Sequence, residues 1–216
     1  MLMKPKKNKK ISTYEKIKNA LSNGLFLFAF RNWLAGKGVD IRPYYWVQEE
    51  VEPCEVPKIK NASSKFSVRE LTIEEVVSIN EGNTSIVIED TVRDMENGQL
   101  CIGLETNGEI AAYNFVELNE FEFKGRVFKL KSNEAYLLNM WTFHEYRGKN
   151  LAPYLRYQSY RFIEKYNRNI KYSITDSFNK SSIRFKKKLN SKHLIYYLSV
   201  VLFKKYTWNF TLKKYK

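Results

Sequence analysis

The stretch that most constrains the fold is EAYLLNMWTFHEYRGKNLAPYLRYQSYRFIE, residues 134–164. It passes from an extended apolar segment, through a short basic turn with one glycine, into a run of helical character. A strand feeding a helix through such a turn presents free backbone N–H groups where the helix begins, which is how proteins hold a phosphate or diphosphate. Arg147, Gly148, Lys149, Asn150, Leu151 and Ala152 supply consecutive main-chain donors. Gly148 keeps a side chain out of the approach, Ala152 keeps the helix start slim, and Arg147 and Lys149 add charge. Taken alone, the turn is equally compatible with basic surface of no special function.

The elements around it follow from periodicity. Apolar residues from Ile11 to Leu34 recur at spacings of three and four and predict an amphipathic helix, which can pack on protein or lie on a membrane. Arg42–Val47 predicts a short strand or extended arm, and the acidic segment 49–60, with Pro53 and Pro57, a linker or a wandering strand. A strand is expected over 65–71. Thr72-Ile73-Glu74-Glu75 has capping-box spacing and starts a helix ending near Gly82. Residues 83–98 fit no single pattern. Strands at 100–104 and 110–118 meet at Asn107-Gly108, a hairpin signal. Residues 121–131 either extend the second strand or form a lip. Further elements are a strand at 135–143, a helix at 151–166, a strand at 171–175, a helix at 180–189 and one or more strands within 194–212. The expected architecture is α+β: a mostly antiparallel central sheet flanked by helices, with an added region at 1–65 and the main domain at 66–216.

Composition narrows the function classes. The net charge of +14 is segregated: residues 161–216 carry 15 basic and 2 acidic side chains, whereas 45–146 carry 9 and 19. Such a basic end draws anionic partners, coenzyme phosphates and anionic surfaces among them. Nucleic acid has only this charge in its favour, because no reading motif accompanies it. Cys54 and Cys101 are far apart and match no zinc or disulfide framework. No apolar run reaches membrane-spanning length, and a cytoplasmic location is expected. A homodimer and a peripheral membrane contact through the N-terminal helix are the further partners considered.

The 134–164 stretch resembles the acyl-coenzyme A binding core of the Gcn5-related N-acetyltransferase (GNAT) superfamily. That family's turn has Arg or Gln, two residues, Gly, one residue, then Gly or Ala; here Arg147 and Ala152 match, and the central Gly falls on Asn150. Asn accepts left-handed geometry better than most residues. Pro153 is a second departure, since it offers no N–H. FSVRELTIEEVVSINE (66–81), GQLCIGLETNGEIAAYNFVEL (98–118) and KYSITDSFNKSSIRFKKKLN (171–190) resemble the family's opening strand and helix, its central hairpin, and its fifth strand with the following helix. Asn179 matches the Asn that caps that helix.

The resemblance implies acetyl transfer from acetyl-coenzyme A, or another acyl-coenzyme A, to a primary amine of a small molecule or amino sugar in a ternary complex. Transfer to a protein amine and an acyl-coenzyme A binding module without catalysis are the alternatives. It implies that main-chain donors around Asn139, Met140, Trp141 and Thr142 polarise the thioester, while Arg147–Ala152 and Asn179 meet the coenzyme. Many members place a proton-donating Tyr seven residues after the capping Asn; that position is Lys186, on a helix face shared with Lys187 and Lys188. Such a face is either solvated or, through Lys186, chemical. Glu117 and Glu134 are the candidate bases, with Glu70 further away and His144 and Glu145 beside the turn; Tyr196 or Tyr197 is an alternative acid.

Overall fold

The computed structural model describes residues 26–61, 65–80 and 87–216. Of the N-terminal helix expected at 11–34, residues 11–25 lie outside this set, as does the expected helix end at Gly82. The chain forms two compact units. The first comprises Val56–Asn119 and Ala135–Asn169. The second comprises Glu120–Glu134, Ile170–Lys216 and the described part of Ile11–Glu55.

In the first unit, strand β2 (Ser67–Glu70) leads into helix α2 (Ile73–Asn80), and helix α3 (Ile88–Glu96) follows. Strands β3 (Leu100–Thr106) and β4 (Glu109–Glu117) form a hairpin, and β7 (Glu134–Thr142) leads to helix α4 (Leu151–Glu164). The strand order is β7-β4-β3-β2 and every pairing is antiparallel. The capping box forms as the sequence predicts. Thr72 Oγ1 accepts from the Glu75 N–H at 3.3 Å, and the Glu75 carboxylate accepts from the Thr72 N–H at 3.0 Å. At the β3–β4 turn Asn107 and Gly108 both have positive φ, 51° and 74°, as a tight two-residue hairpin turn requires. Leu71, Val76, Cys101, Tyr113 and Phe115 make the core of this unit, with Trp141 and Phe143 packed on it. The Tyr113 hydroxyl donates to Asn80 Oδ1 at 2.6 Å, so the polar tip of a fully buried ring is satisfied.

The second unit begins with helix α1 (Phe26–Gly36) and strand β1 (Val39–Glu49). A two-stranded hairpin joins β5 (Phe121–Phe123) to β6 (Arg126–Phe128). Strand β8 (Ile170–Asp176), helix α5 (Lys180–Lys188), β9 (Lys192–Leu202) and β10 (Tyr206–Lys214) complete it. The order is β10-β9-β1-β8, again antiparallel throughout.

Two segments are more extensively structured than their local sequence indicates. The short strand or extended arm expected at 42–47 is an eleven-residue strand lying between β8 and β9. Residues 121–131, expected to extend the second strand or form a lip, do not extend β4 but fold on themselves through Lys124-Gly125, both at positive φ. Pro43 is tolerated in β1 because pairing with β8 begins only at Tyr44, and the Pro43 carbonyl accepts from the Ser177 N–H at 2.9 Å.

His193, on β9, supplies a pH dependence. Its ring stacks on Tyr45, with centroids 4.1 Å apart. Burial, reinforced by the Lys186 ammonium, pushes its pKa below the usual histidine value. The native state therefore binds this proton less readily than the unfolded chain does. The stability it contributes is complete above about pH 6.5 and is lost as the pH falls below that. Urea titrations from pH 7.5 to 5.5 are expected to show a steeper loss for the wild type than for His193→Asn. Parallel losses in both would remove His193 as the cause.

Candidate functional site

The turn before α4 has the geometry that the donors need. Gly148 has φ 80° and Asn150 φ 64°, in the left-handed region. Two positive-φ residues separated by Lys149 give the kind of alternating backbone from which anion-binding nests are built. Asn150 thus adopts a conformation that glycine adopts without strain, which is how the chain dispenses with the expected central Gly. As the residue preceding α4, Asn150 is also placed to cap it, yet its side chain makes no cap hydrogen bond. Its Nδ2 instead donates to the Lys58 carbonyl at 2.8 Å, and the Lys60 N–H donates to the Lys149 carbonyl at 2.9 Å. Segment 58–60 straps the carbonyl side of the turn and leaves the first N–H groups of α4, at Leu151 and Ala152, without intrahelical acceptors. Pro153 is buried in the first turn, which accepts a missing N–H.

The surroundings of Gly148 are open, since a Cβ placed on it meets no atom within 4 Å. The two cations beside it lie over rings. The Arg147 guanidinium sits 5.3 Å from the Trp141 ring centroid, and the Lys149 ammonium 5.3 Å from that of Tyr146. Arg147 Nε also donates to the Thr142 carbonyl at 3.0 Å, tying the turn to the end of β7. Tyr146 is fixed by its hydroxyl donating to Glu109 at 2.7 Å; burial, with this carboxylate beside it, raises its pKa to about 12.

Within β7 the backbone breaks step at Asn139, whose φ is 46°. Tyr113 pairs with Trp141 and Phe115 with Leu138, so Asn114 alone faces both Asn139 and Met140. This is a β-bulge, which leaves strand amides out of the ladder and re-aims them. Asn114 is fully buried, and its Oδ1 accepts from Ser159 Oγ at 2.9 Å. Ser159 lies on α4, so one side-chain contact joins the bulged region to the helix that starts at the turn. Among the residues expected to meet the coenzyme, Asn139, Met140, Trp141 and Thr142 are thus brought together with Arg147–Ala152. The strap at 58–60, the Asn114–Ser159 contact and the Tyr146–Glu109 bond were not legible in the sequence, because each joins residues distant along the chain through common polar types.

The carboxylates nominated as bases lie at the other end of these strands. Glu117 pairs with Tyr136, three residues beyond Asn114, or about 10 Å along the strand. Its carboxylate accepts from Gln99 Nε2 at 3.2 Å and from the Leu118 and Asn119 N–H groups, each at 2.8 Å, and so fastens the turn after β4. Glu134 begins β7, about 17 Å along the strand from Asn139. It accepts from the Lys131 N–H at 2.9 Å and from the Tyr172 hydroxyl at 3.3 Å. Glu70 accepts from the Tyr166 hydroxyl at 3.0 Å, and His144 and Glu145 are exposed on a single 3-10 turn.

In the second unit, Asn179 caps α5, its Oδ1 accepting from the Ser182 N–H at 3.1 Å. Lys186 departs from the solvated face its neighbours suggest and is only 4% exposed, whereas Lys187 and Lys188 are exposed. Its ammonium donates to Ser173 Oγ at 2.7 Å and Thr175 Oγ1 at 2.6 Å and pairs with the buried Glu49 at 3.3 Å. Of the two tyrosines considered as acids, Tyr196 stacks on Tyr45, and Tyr197 lies under the Arg126 guanidinium at 4.1 Å.

No protein-family model and no curated protein sequence matches the chain. Solved structures do match in fold. A GNAT-family protein from Novosphingobium aromaticivorans aligns at 19% identity and TM-score 0.51 over 76% of this chain and 66% of its own. An acetyltransferase from the GNAT family from Colwellia psychrerythraea aligns at 12% identity and TM-score 0.52, over 80% of this chain and 61% of its own. The GCN5-related glucosamine N-acetyltransferase region of a fungal multi-domain GH3 β-N-acetylglucosaminidase aligns at 10% identity and TM-score 0.56, over 90% of this chain and 24% of that one. The chain therefore spans less than two thirds of the length of these proteins, and at such identities the likeness is one of fold.

Proposed function

We propose, starting from a chain that has the GNAT fold, that it transfers an acetyl group from acetyl-coenzyme A, or another acyl group from its coenzyme A thioester, to a primary amine of a small molecule or amino sugar. The observation that carries this reading is the row of amides from Gly148 to Ala152, held open by the 58–60 strap and tied through Trp141 and Thr142 to a bulged strand. The residues present fit a diphosphate: two positive-φ residues before the helix, helix N–H groups without a side-chain cap from Asn150, two ring-supported cations and open space beside Gly148.

Bound acetyl-coenzyme A supplies an activated acyl carbonyl and a thiolate leaving group. The chain contributes electrostatic preorganisation. Gly148–Ala152 would hold the diphosphate, and the amides that the Asn139 bulge frees from the ladder would donate to the carbonyl oxygen where charge develops. Donors fixed by backbone need no rearrangement during the reaction, and the Asn114–Ser159 contact holds the bulge against α4. Glu117 and Glu134 are assigned to proton movement only through water, given their distance along the strands from the bulge. Asn179 is assigned to the coenzyme arm through the helix it caps. The acceptor is read as a small amine. The glucosamine N-acetyltransferase likeness of the fungal region is consistent with an amino sugar.

A second reading, acyl-coenzyme A binding without turnover, is favoured by one observation: Lys186, where an acid is expected, is already engaged by two hydroxyls and Glu49. Release of free coenzyme A from acetyl-coenzyme A, measured with a panel of amino sugars and polyamines, separates the two. Amine-dependent release supports transfer. Saturable binding with no release above the amine-free rate would reject it.

A further inference from the structure

The apolar face of the β10–β9–β1 sheet has no part in acyl transfer as proposed. Residues paired across antiparallel strands share a face. Trp208 pairs with Val200, which pairs with Ile41, and Phe210 pairs with Leu198, which pairs with Pro43. Trp208, Phe210 and Ile41 are 45, 49 and 45% exposed. On the opposite face of β10, Asn209 Nδ2 donates to the Lys124 carbonyl at 2.8 Å, and Thr207 lies near Gly125. Tyr206 and Leu212, each 50% exposed, extend the stripe at both ends. Contiguous apolar exposure of this kind marks an interaction surface.

Charge selects the occupant. Residues 192–216 contain six lysines and no acidic residue. Lys205 lies at one end of the stripe, its ammonium 5.3 Å from the Tyr206 ring. At the other end Lys213 pairs with Tyr196, which puts it on the same face. The two cations frame a patch about 26 Å long. A second copy is a poor fit, because antiparallel self-pairing of β10 would set Lys204 and Lys205 against Lys213 and Lys214. Nucleic acid would match the charge and the rings but offers nothing to Ile41, Leu198, Val200 and Leu212. Aromatic rings with aliphatic neighbours, rimmed by lysine ammonium groups, match the headgroup region of an anionic bilayer.

We infer that the open face of β10, β9 and β1 is a peripheral docking surface for anionic phospholipid, with Trp208 and Phe210 entering the interface and Lys205 and Lys213 meeting the headgroups. The test is sedimentation of the full chain with vesicles of phosphatidylcholine, with and without about a quarter phosphatidylglycerol, at low and physiological salt. Binding is expected to be at least about tenfold tighter to the anionic vesicles, and Trp208→Ser with Phe210→Ser to weaken it at least about tenfold with an unchanged circular dichroism spectrum. Lys205→Glu with Lys213→Glu, both outside the core, is expected to abolish the anionic preference and serves as the test should the first pair misfold. Equal binding to both vesicle types, or binding unchanged in both variants, would overturn the inference. So would failure of the wild type to sediment, whether the same residues then proved to support binding of an oligonucleotide or dimerisation.

Discussion

Gly148→Val is expected to weaken acetyl-coenzyme A binding by at least about thirtyfold while lowering stability by only about 1–2 kcal/mol. The two effects have separate origins. Residue 148 sits at φ 80°, where a β-branched residue is strained, but no neighbouring atom lies within 4 Å of the added Cβ, so the fold tolerates the change. On the proposed placement of the diphosphate, the added methyl groups crowd the approach to the amide row, and displacing a diphosphate from main-chain donors forfeits several charge-assisted hydrogen bonds together. Asn150→Gly is the complementary variant. It keeps the left-handed conformation without strain but removes the bond to the Lys58 carbonyl, so it is expected to bind no better than the wild type despite restoring the family's glycine. Calorimetric titration with acetyl-coenzyme A, paired with urea unfolding, reads both quantities. Unchanged affinity in Gly148→Val would remove the diphosphate from this turn.

Lys186→Met is expected to destabilise the protein by about 3–5 kcal/mol. The side chain is buried, and its removal takes the ammonium from Glu49, itself 1% exposed, and the donor from Ser173 and Thr175. Methionine fills much of the same volume, so the loss reports chiefly the ion pair taken from Glu49 and the hydrogen bonds taken from Ser173 and Thr175, and not a cavity. Adding Glu49→Gln is expected to recover part of the loss, since an amide is cheaper to bury than a carboxylate without its ammonium. Lys187→Met and Lys188→Met, on the exposed side of the same helix, are expected to change stability by no more than about 0.5 kcal/mol. Urea unfolding of the four variants checks this. If Lys186→Met kept full stability and lost turnover, Lys186 would belong to the reaction and not to the scaffold.

Local signals carried most of the element boundaries. The Thr72–Glu75 capping box, the Asn107-Gly108 turn and the change from apolar strand to basic turn at residues 142–151 each act within a few residues, and the structure has all three. Pairings between distant segments were not legible. β1 contains Pro43, which argues against an interior strand, and only the coincidence of Pro43 with the end of its β8 pairing permits the position. Three consecutive lysines give no sign that the first is buried, because its partners at Glu49, Ser173 and Thr175 come from two other strands. Glu117 reads as a cleft carboxylate until the backbone amides of Leu118 and Asn119 are seen to hold it. The Asn139 bulge carries no glycine to announce it; asparagine in left-handed geometry performs the same turn there and again at Asn150.

The most direct test is a titration of the isotopically labelled protein with acetyl-coenzyme A, followed by amide proton and nitrogen shifts. The largest changes are expected on Gly148, Lys149, Asn150, Leu151 and Ala152, with a second group at Asn139–Trp141. Saturable binding that moved amides elsewhere and left these at their free positions would contradict that expectation.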